Sequence, residues 1–261
     1  MKKKKLNLVK EKISFGTDGW RGILGVDFTL ERLLKVAAAS AQELGYVKGK
    51  RNNKIIIGYD RRFLAEEMAE AVASAVRGVD LVPLLASSSL PTPSCSWGIV
   101  EENALGALVI TASHNPCEWL GLKIKGPFGG SVDSSFTDSV QKRIDAGGIS
   151  IPIEGSTERV DFRKQHLLGI SKKFDIPSIS NGLRELGVKV FVDPMFGSAS
   201  GCINELFGSD GDGLIYEIRT NRDPCFGGNP PEPMEAYLTQ LIKEVQDSIG
   251  DGHLSIGLVF D

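Results

Sequence analysis

The chain has 261 residues, 41% of them hydrophobic and 24% charged, enough for one large or two modest domains with buried cores. A net charge of −3 argues against a protein built to bind nucleic acid, and no apolar stretch is long enough to span a membrane. Met1-Lys2-Lys3-Lys4-Lys5 is a short basic terminus with no continuous apolar segment behind it, so it does not read as a secretory signal. Cys95, Cys117, Cys202 and Cys225 are scattered without a C-x-x-C pair, which suggests neither a zinc site nor a disulfide framework and fits a reducing cytoplasm.

Ile13 to Gly22 reads as a glycine-rich opening carrying Asp18 and Arg21. Thr29 is placed to cap a helix from Leu30 to about Leu44, with Leu30, Leu33, Leu34, Ala37 and Ala41 at helical spacing. Lys54 to Tyr59 is a buried-strand pattern ending in Asp60-Arg61-Arg62, followed by an alanine-rich helix over Phe63 to Val76. Leu81 to Ala86 is a strand candidate, Ser87 to Pro93 a turn, and Ser94 to Val100 a short helix.

Leu105 to Ile110 is a β-branched apolar run that stops abruptly at Thr111-Ala112-Ser113-His114-Asn115-Pro116. Those are turn residues, and the position before a proline is pushed away from helix. A second run, Leu122 to Ile124, follows Gly121 and brings Lys123 and Lys125 back. The chain therefore presents a serine at a strand end, where open α/β sheets bind ligands. Residue chemistry alone leaves Ser113 open between a turn serine and a nucleophile. A Ser/His/Asp triad is disfavoured, because His114 is adjacent and no G-x-S-x-G elbow surrounds the serine.

Further on, Phe136 to about Ile144 is helical and Asp145 to Ser156 is a Gly/Ser-rich loop near an expected domain boundary. Helices follow over Asp161 to Phe174 and within Ile176 to Gly187, then a strand over Val188 to Val192. A helix toward Leu206, a strand over Leu214 to Ile218, a Pro/Gly-rich segment over Thr220 to Pro233 and a long helix over Met234 to Ile249 lead to a last strand, Leu254 to Phe260. Asp210-Gly211-Asp212-Gly213 and Asp251-Gly252-His253 read as turns rather than metal loops. Such alternation predicts a layered α/β protein with parallel or mixed sheets.

Three stretches in order resemble one family. Thr111 to Pro116 with Gly121-Leu122-Lys123 is similar to the active-site loop of the α-D-phosphohexomutases. Phe15-Gly16-Thr17-Asp18-Gly19-Trp20-Arg21-Gly22 resembles their amino-terminal signature, and Asp223 to Pro233 resembles a segment of their second domain. The resemblance implies two domains, residues 1–160 and 161–261, each a mixed, mostly parallel β-sheet sandwiched between α-helices.

The resemblance also implies a chemistry. Ser113 would carry a phosphoryl group, give it to a hexose phosphate to form a hexose bisphosphate, and take the other phosphate back. Lys123 matches a family lysine implicated in proton transfer and charge stabilisation, and Arg21 an arginine near the phosphoserine. His114 either donates to the transferring group or braces the loop, while Asp18, Asp60 and Arg62 read as loop-bracing ion pairs. Leu258-Val259-Phe260-Asp261 resembles the lead-in to the family's Asp-Gly-Asp-x-Asp-Arg loop, so Ser113 and Asp261 are the expected Mg²⁺ ligands in this chain, Asp261 being the first of three aspartates. The stretch thus resembles roughly the first half of a mutase and is expected to be inactive alone. The Thr-Ala-Ser-His-Asn-Pro form favours a glucose or mannose phosphate. Phosphoglucosamine mutase, or a non-catalytic half-mutase that binds or regulates, is the alternative, and a different phosphotransferase or hydrolase using Ser113 is a third reading.

Overall fold

The computed structural model describes residues 13–16, 18–46, 52–147 and 152–261. The basic terminus, Thr17 of the amino-terminal motif and part of the loop at 145–156 lie outside the described residues. In chain order the elements are β1 (Phe15–Gly16), β2 (Gly19–Ile23), α1 (Leu30–Gly45), β3 (Lys54–Tyr59), α2 (Ala65–Arg77), β4 (Val82–Ala86), α3 (Thr92–Glu101), β5 (Gly106–Ile110), β6 (Trp119–Lys125), α4 (Ser134–Ala146) and β7 (Glu158–Val160). After them come α5 (Phe162–Ser171), α6 (Ile176–Glu185), β8 (Val188–Asp193), α7 (Cys202–Phe207), β9 (Ile215–Glu217), α8 (Thr239–Gly250) and β10 (Leu254–Val259).

The first sheet is seven-stranded in the order β1-β2-β6-β5-β3-β4-β7, and the second is three-stranded in the order β10-β8-β9. In the first, β3 runs parallel to β4 and β5, and β4 to β7, while β5–β6, β2–β6 and β1–β2 are antiparallel. All pairs of the second are parallel. The protein is thus α/β, with a mixed sheet flanked by helices. Parallel strands buried on both faces read as continuous apolar runs, and Ile55, Ile56 and Ile57 of β3 with Ala107, Leu108, Val109 and Ile110 of β5 form the middle of the core. Leu33, Val36, Ala37 and Leu44 of α1 cover it, and the Thr29 hydroxyl accepts the Arg32 N–H at 3.4 Å to start that helix.

Three expectations need correction. The glycine-rich opening contains two strands, β1 and β2, because its backbone pairs with β6. Gly121 of β6 permits that approach: a Cβ there would stand 2.6 Å from the Thr111 carbonyl oxygen and 2.8 Å from that of Trp20. The stretch between Ser156 and Asp161, for which no element was expected, forms β7, a three-residue charged edge strand. The long helix expected over Met234 to Ile249 is divided into a 3₁₀ turn, Glu235–Tyr237, and α8.

α5 joins the two sheets. It lies against α3 through a reciprocal pair of glycine seats: the Phe162 ring fills the space above Gly98, and the Trp97 ring fills the space above Gly169. Phe162 is 1% exposed and belongs to the first core although it follows β7 in sequence. Arg163, the next residue, pairs with Glu205 of α7 at 2.9 Å. The expected outcome of Phe162→Ala is a loss of about 3–5 kcal/mol in stability, measured by denaturant unfolding, through lost burial and an unfilled cavity. An unchanged midpoint would show that α5 is not anchored there.

Candidate active site

The loop at Ser113 leaves the carboxyl end of β5 in a conformation that costs energy. Ser113 has φ +55, in the left-handed region, which for a non-glycine residue costs roughly 1–3 kcal/mol and persists only where neighbours enforce it. Here they do. The Thr111 hydroxyl accepts the Ser113 N–H at 2.9 Å. On the other side, Arg62 Nη2 donates to the carbonyls of Ser113 and Asn115, both at 2.6 Å, and Nη1 to those of Pro116 and Trp119 at 2.9 and 3.1 Å. The guanidinium is 1% exposed, stands 3.4 Å from Asp60 Oδ2 and lies 4.8 Å from the centre of the Phe226 ring. Burial raises the Asp60 carboxyl, and the Arg62 charge opposes that shift.

Ser113 is half-buried and lines a cavity of about 280 Å³. The walls come from the carboxyl ends of β3, β4, β5, β8 and β10: Asp60 and Arg61, Leu90 to Pro93, Thr111 and Ser113, Gly197 to Ala199, and Phe260 with Asp261. Lys123 projects from β6, and Phe226 and Pro231 complete the rim. Arg61 turns away from its neighbour Arg62 and crosses to the second sheet's loops, where Nη1 donates to Ser200 Oγ at 2.6 Å and the Thr220 carbonyl at 2.8 Å.

The residues singled out from the sequence separate into two groups. Ser113, Lys123 and Asp261 line the cavity together. Lys123 is 12% exposed and pairs with Asp18 Oδ2 at 2.5 Å, so Asp18 acts as the expected bracing partner. Burial would raise the Asp18 carboxyl, but hydrogen bonds from Lys123 and Ser131 and the charges of Lys123 and Lys125 outweigh it and hold the group low. Lys125 is buried, with Nζ donating to the Gly129 carbonyl at 3.4 Å. Arg21 does not line the cavity: its Nη1 donates to Asn115 Oδ1 at 2.8 Å, supporting the far side of the serine loop. His114 Nδ1 stands 3.5 Å from Asp261 Oδ2, with both side chains nearly half exposed.

Sequence reasoning gave no role to Arg61 or to Thr111 and the Gly197–Ala199 turn. The Asp-Arg-Arg at the end of β3 was the available signal, since strand-end loops are where such sheets bind ligands. A hard divalent cation wants about six oxygen ligands. The acidic residues lining the cavity are Asp60, committed to Arg62, and Asp261. Among the described residues no three His, Cys, Asp or Glu side chains gather to hold a metal. Ser113 and Asp261 by themselves therefore fall short of the oxygen set that such an ion takes.

A family model described as phosphoglucomutase/phosphomannomutase, alpha/beta/alpha domain I, matches residues 12–148. A phosphoglucosamine mutase of Prochlorococcus marinus (strain MIT 9312) is 30% identical over 258 residues, covering 94% of this chain and 54% of the relative. A probable phosphoglucosamine mutase of Methanosphaera stadtmanae is 31% identical over 251 residues, covering 95% of this chain and 52% of the relative. The crystal structure of a putative phosphomannomutase from Thermus thermophilus superposes with a TM-score of 0.78 at 27% identity, over 90% of this chain and 52% of that one. The chain spans about half the length of the curated relatives it matches. No helix among the described residues is long and apolar enough to cross a membrane. The match to residues 12–148, more than half of the sequence, places this chain in the α-D-phosphohexomutase family, in the amino-terminal portion of its members.

Proposed function

We propose that Ser113 is the phosphoryl carrier of a hexose-phosphate mutase. In this reading the Ser113 Oγ–P bond of the resting enzyme breaks as a hydroxyl of a hexose monophosphate takes the phosphoryl group. The resulting hexose bisphosphate turns over in the cavity, and its other phosphate returns to Oγ. The observation that carries the reading is the placing of Ser113: half-buried, on a strained strand-end turn, in a cavity shared with a lysine and roofed by the second sheet's loops. Phosphoryl transfer depends on positioning and on neutralising the equatorial oxygens. A phosphoserine carries about −1.5 to −2 charges. Lys123 is the cation placed to meet that charge, and its ammonium gives a proton to the departing oxygen and is restored by the proton that the attacking hydroxyl loses. Arg21 acts through Asn115 on the loop, and His114 through Asp261.

Glucose or mannose phosphates are the substrates favoured by the loop sequence. An amino-sugar phosphate is the second reading, favoured by the names of the relatives just described. We also place the division between two functional halves after residue 160, with α5 as the joint.

Incubation with hexose 1,6-bisphosphate should add the mass of one phosphoryl group to the intact chain and none to Ser113→Ala, while conversion of glucose 1-phosphate by this chain alone stays near background. Phosphate elsewhere than Ser113 would overturn the carrier role. Arg62→Met, which leaves Asp60 unpaired in a buried site, should cost about 3–5 kcal/mol by denaturant unfolding and abolish labelling of Ser113. Retained labelling in a folded variant would show that the loop holds its shape without that cation.

Asp18 gives a pH test. Its carboxyl is held lower in the folded than in the unfolded chain, so the folded state binds fewer protons. Its contribution is present above the ordinary carboxylate range, roughly pH 4, and is lost as pH falls through the lowered folded value. The stability difference between wild type and Asp18→Asn should therefore be constant near neutrality and shrink in acid. A difference that grows on acidification would exclude the Lys123 pairing.

A further inference from the structure

The charged side chains lining the cavity at Ser113 are Asp60, Asp261, Lys123 and Arg61. Asp60 stands against Arg62, Lys123 against Asp18, and Asp261 Oδ2 lies 3.5 Å from His114 Nδ1. Arg61 makes no ion pair among the described residues. Its hydrogen bonds all leave from Nη1: to Ser200 Oγ at 2.6 Å, to the Thr220 carbonyl at 2.8 Å, and to the Phe196 and Gly197 carbonyls at 3.4 Å. Nε and Nη2 therefore have no acceptor among the described residues, and neither is a sealed, unpartnered nitrogen. The surrounding charge is of one sign. Burial, and after it the charges of Arg222 and Arg163, pull the Arg61 guanidinium below its ordinary value. Arg163 is paired with Glu205 at 2.9 Å, whereas Arg222 donates from Nη2 to the Arg62 carbonyl at 3.3 Å and has no carboxylate of its own among the described residues. A half-buried cation with free donors and like charges beside it is a seat for an anion.

Sheet order says where that seat lies. The neighbours of β5 are β6 and β3, so Lys123, from β6, and Arg61, at the end of β3, flank the strand that leads into the serine loop. We propose that Arg61 binds the phosphate of a hexose bisphosphate at the end remote from Ser113, with Nε and Nη2 meeting two of its oxygens as a fork. The identity of the ligand rests on the carrier role proposed for Ser113. Such a ligand has a dianionic group at each end, and one cation cannot meet both. Lys123 faces the end at the serine, and Arg61 takes the other. The planar guanidinium suits a phosphate edge-on, where an ammonium would act only as a point charge. Nη1 stays with Ser200 and Thr220, so the side chain is held before the ligand arrives and less rotamer freedom is lost on binding. A phosphate seated there is tied through Arg61 to the second sheet's loops as well as to the first sheet.

The test measures binding by calorimetry on the whole chain carrying Ser113→Ala, with glucose 1,6-bisphosphate as probe, so that no phosphoryl group settles at position 113. Adding Arg61→Gln should weaken binding about tenfold, the loss expected when a charge-assisted hydrogen bond goes unmade. Arg61→Lys, which keeps the charge without the fork, should fall between the two, and it decides the matter if Arg61→Gln does not fold. Ser200→Ala removes an acceptor of Nη1 but leaves Nε and Nη2 untouched, so it should bind as the parent does. Inorganic phosphate should displace the bisphosphate only at much higher concentration. Displacement at equal concentration would make this a free-phosphate site and overturn the assignment to a sugar phosphate. Unchanged affinity in both Arg61 variants, an equal loss in Ser200→Ala, or no binding by the Ser113→Ala chain would each overturn the role of Arg61. Labelling of Ser113 in the otherwise unaltered chain reads the carrier role separately: its absence beside Arg61-dependent binding would strike the carrier and leave the anion seat standing.

Discussion

The guanidinium of Arg62 is the constraint on which the site depends. A loop without regular structure leaves backbone carbonyls with no ladder to accept from, and burying them unpaired costs about 1–3 kcal/mol each. Four carbonyls, those of Ser113, Asn115 and Pro116 in the loop and of Trp119 at the start of β6, converge on one planar cation. Lysine would bring a point charge and three donors, but not the fork that serves two pairs of oxygens at once. The cation is itself costly to bury, and Asp60 and the Phe226 ring offset that cost. The strained Ser113 backbone is therefore held by groups from β3, from its own loop and from the second sheet's segment.

Two adjacent arginines divide the work of assembly. Arg62 turns inward to set the serine loop, and Arg61 turns outward to grip Ser200 and the carbonyl of Thr220. The cavity thus has one wall built by each side chain, and its width follows from the spacing between the sheets. α5 supports that spacing from behind, seated on α3 by Phe162 and Trp97 and tied to α7 by Arg163 and Glu205. Asp193 stiffens the second sheet's contribution: it is fully buried, accepts from Met195 N–H at 2.9 Å and is paired with Arg219.

What could be read from the sequence was local. β3 ends where its apolar run ends, and the Thr29 cap opens α1 as the capping pattern implies. β7 was hidden because Glu158-Arg159-Val160 has the charged, short character of a protected edge rather than an apolar run. β1 and β2 were hidden because their glycines serve close backbone approach, which looks like loop composition. Within the site, Ser113, Lys123 and Asp261 were legible as members of motifs. The contact of Arg21 with Asn115 rather than with the cavity depends on which distant segments fold together, and no local pattern encodes that.

The charges around the cavity show how the parts fit the chemistry proposed for them. Asp60 is matched by Arg62, and Asp18 by Lys123, so the folded site keeps its cations occupied before any phosphate arrives. A phosphoserine at position 113 would add about −1.5 to −2 charges to that balance. Arg62 cannot supply the compensation, since its fork is committed to carbonyls and it lies beneath the loop. Lys123 can, because its carboxylate partner is a single, partly exposed side chain and its own ammonium has three donors to share. Under the carrier role proposed for Ser113, Asp18 would be the holder from which the lysine is drawn toward the phosphoryl oxygens. Such an arrangement would keep the lysine paired until a phosphoryl group brings the larger negative charge.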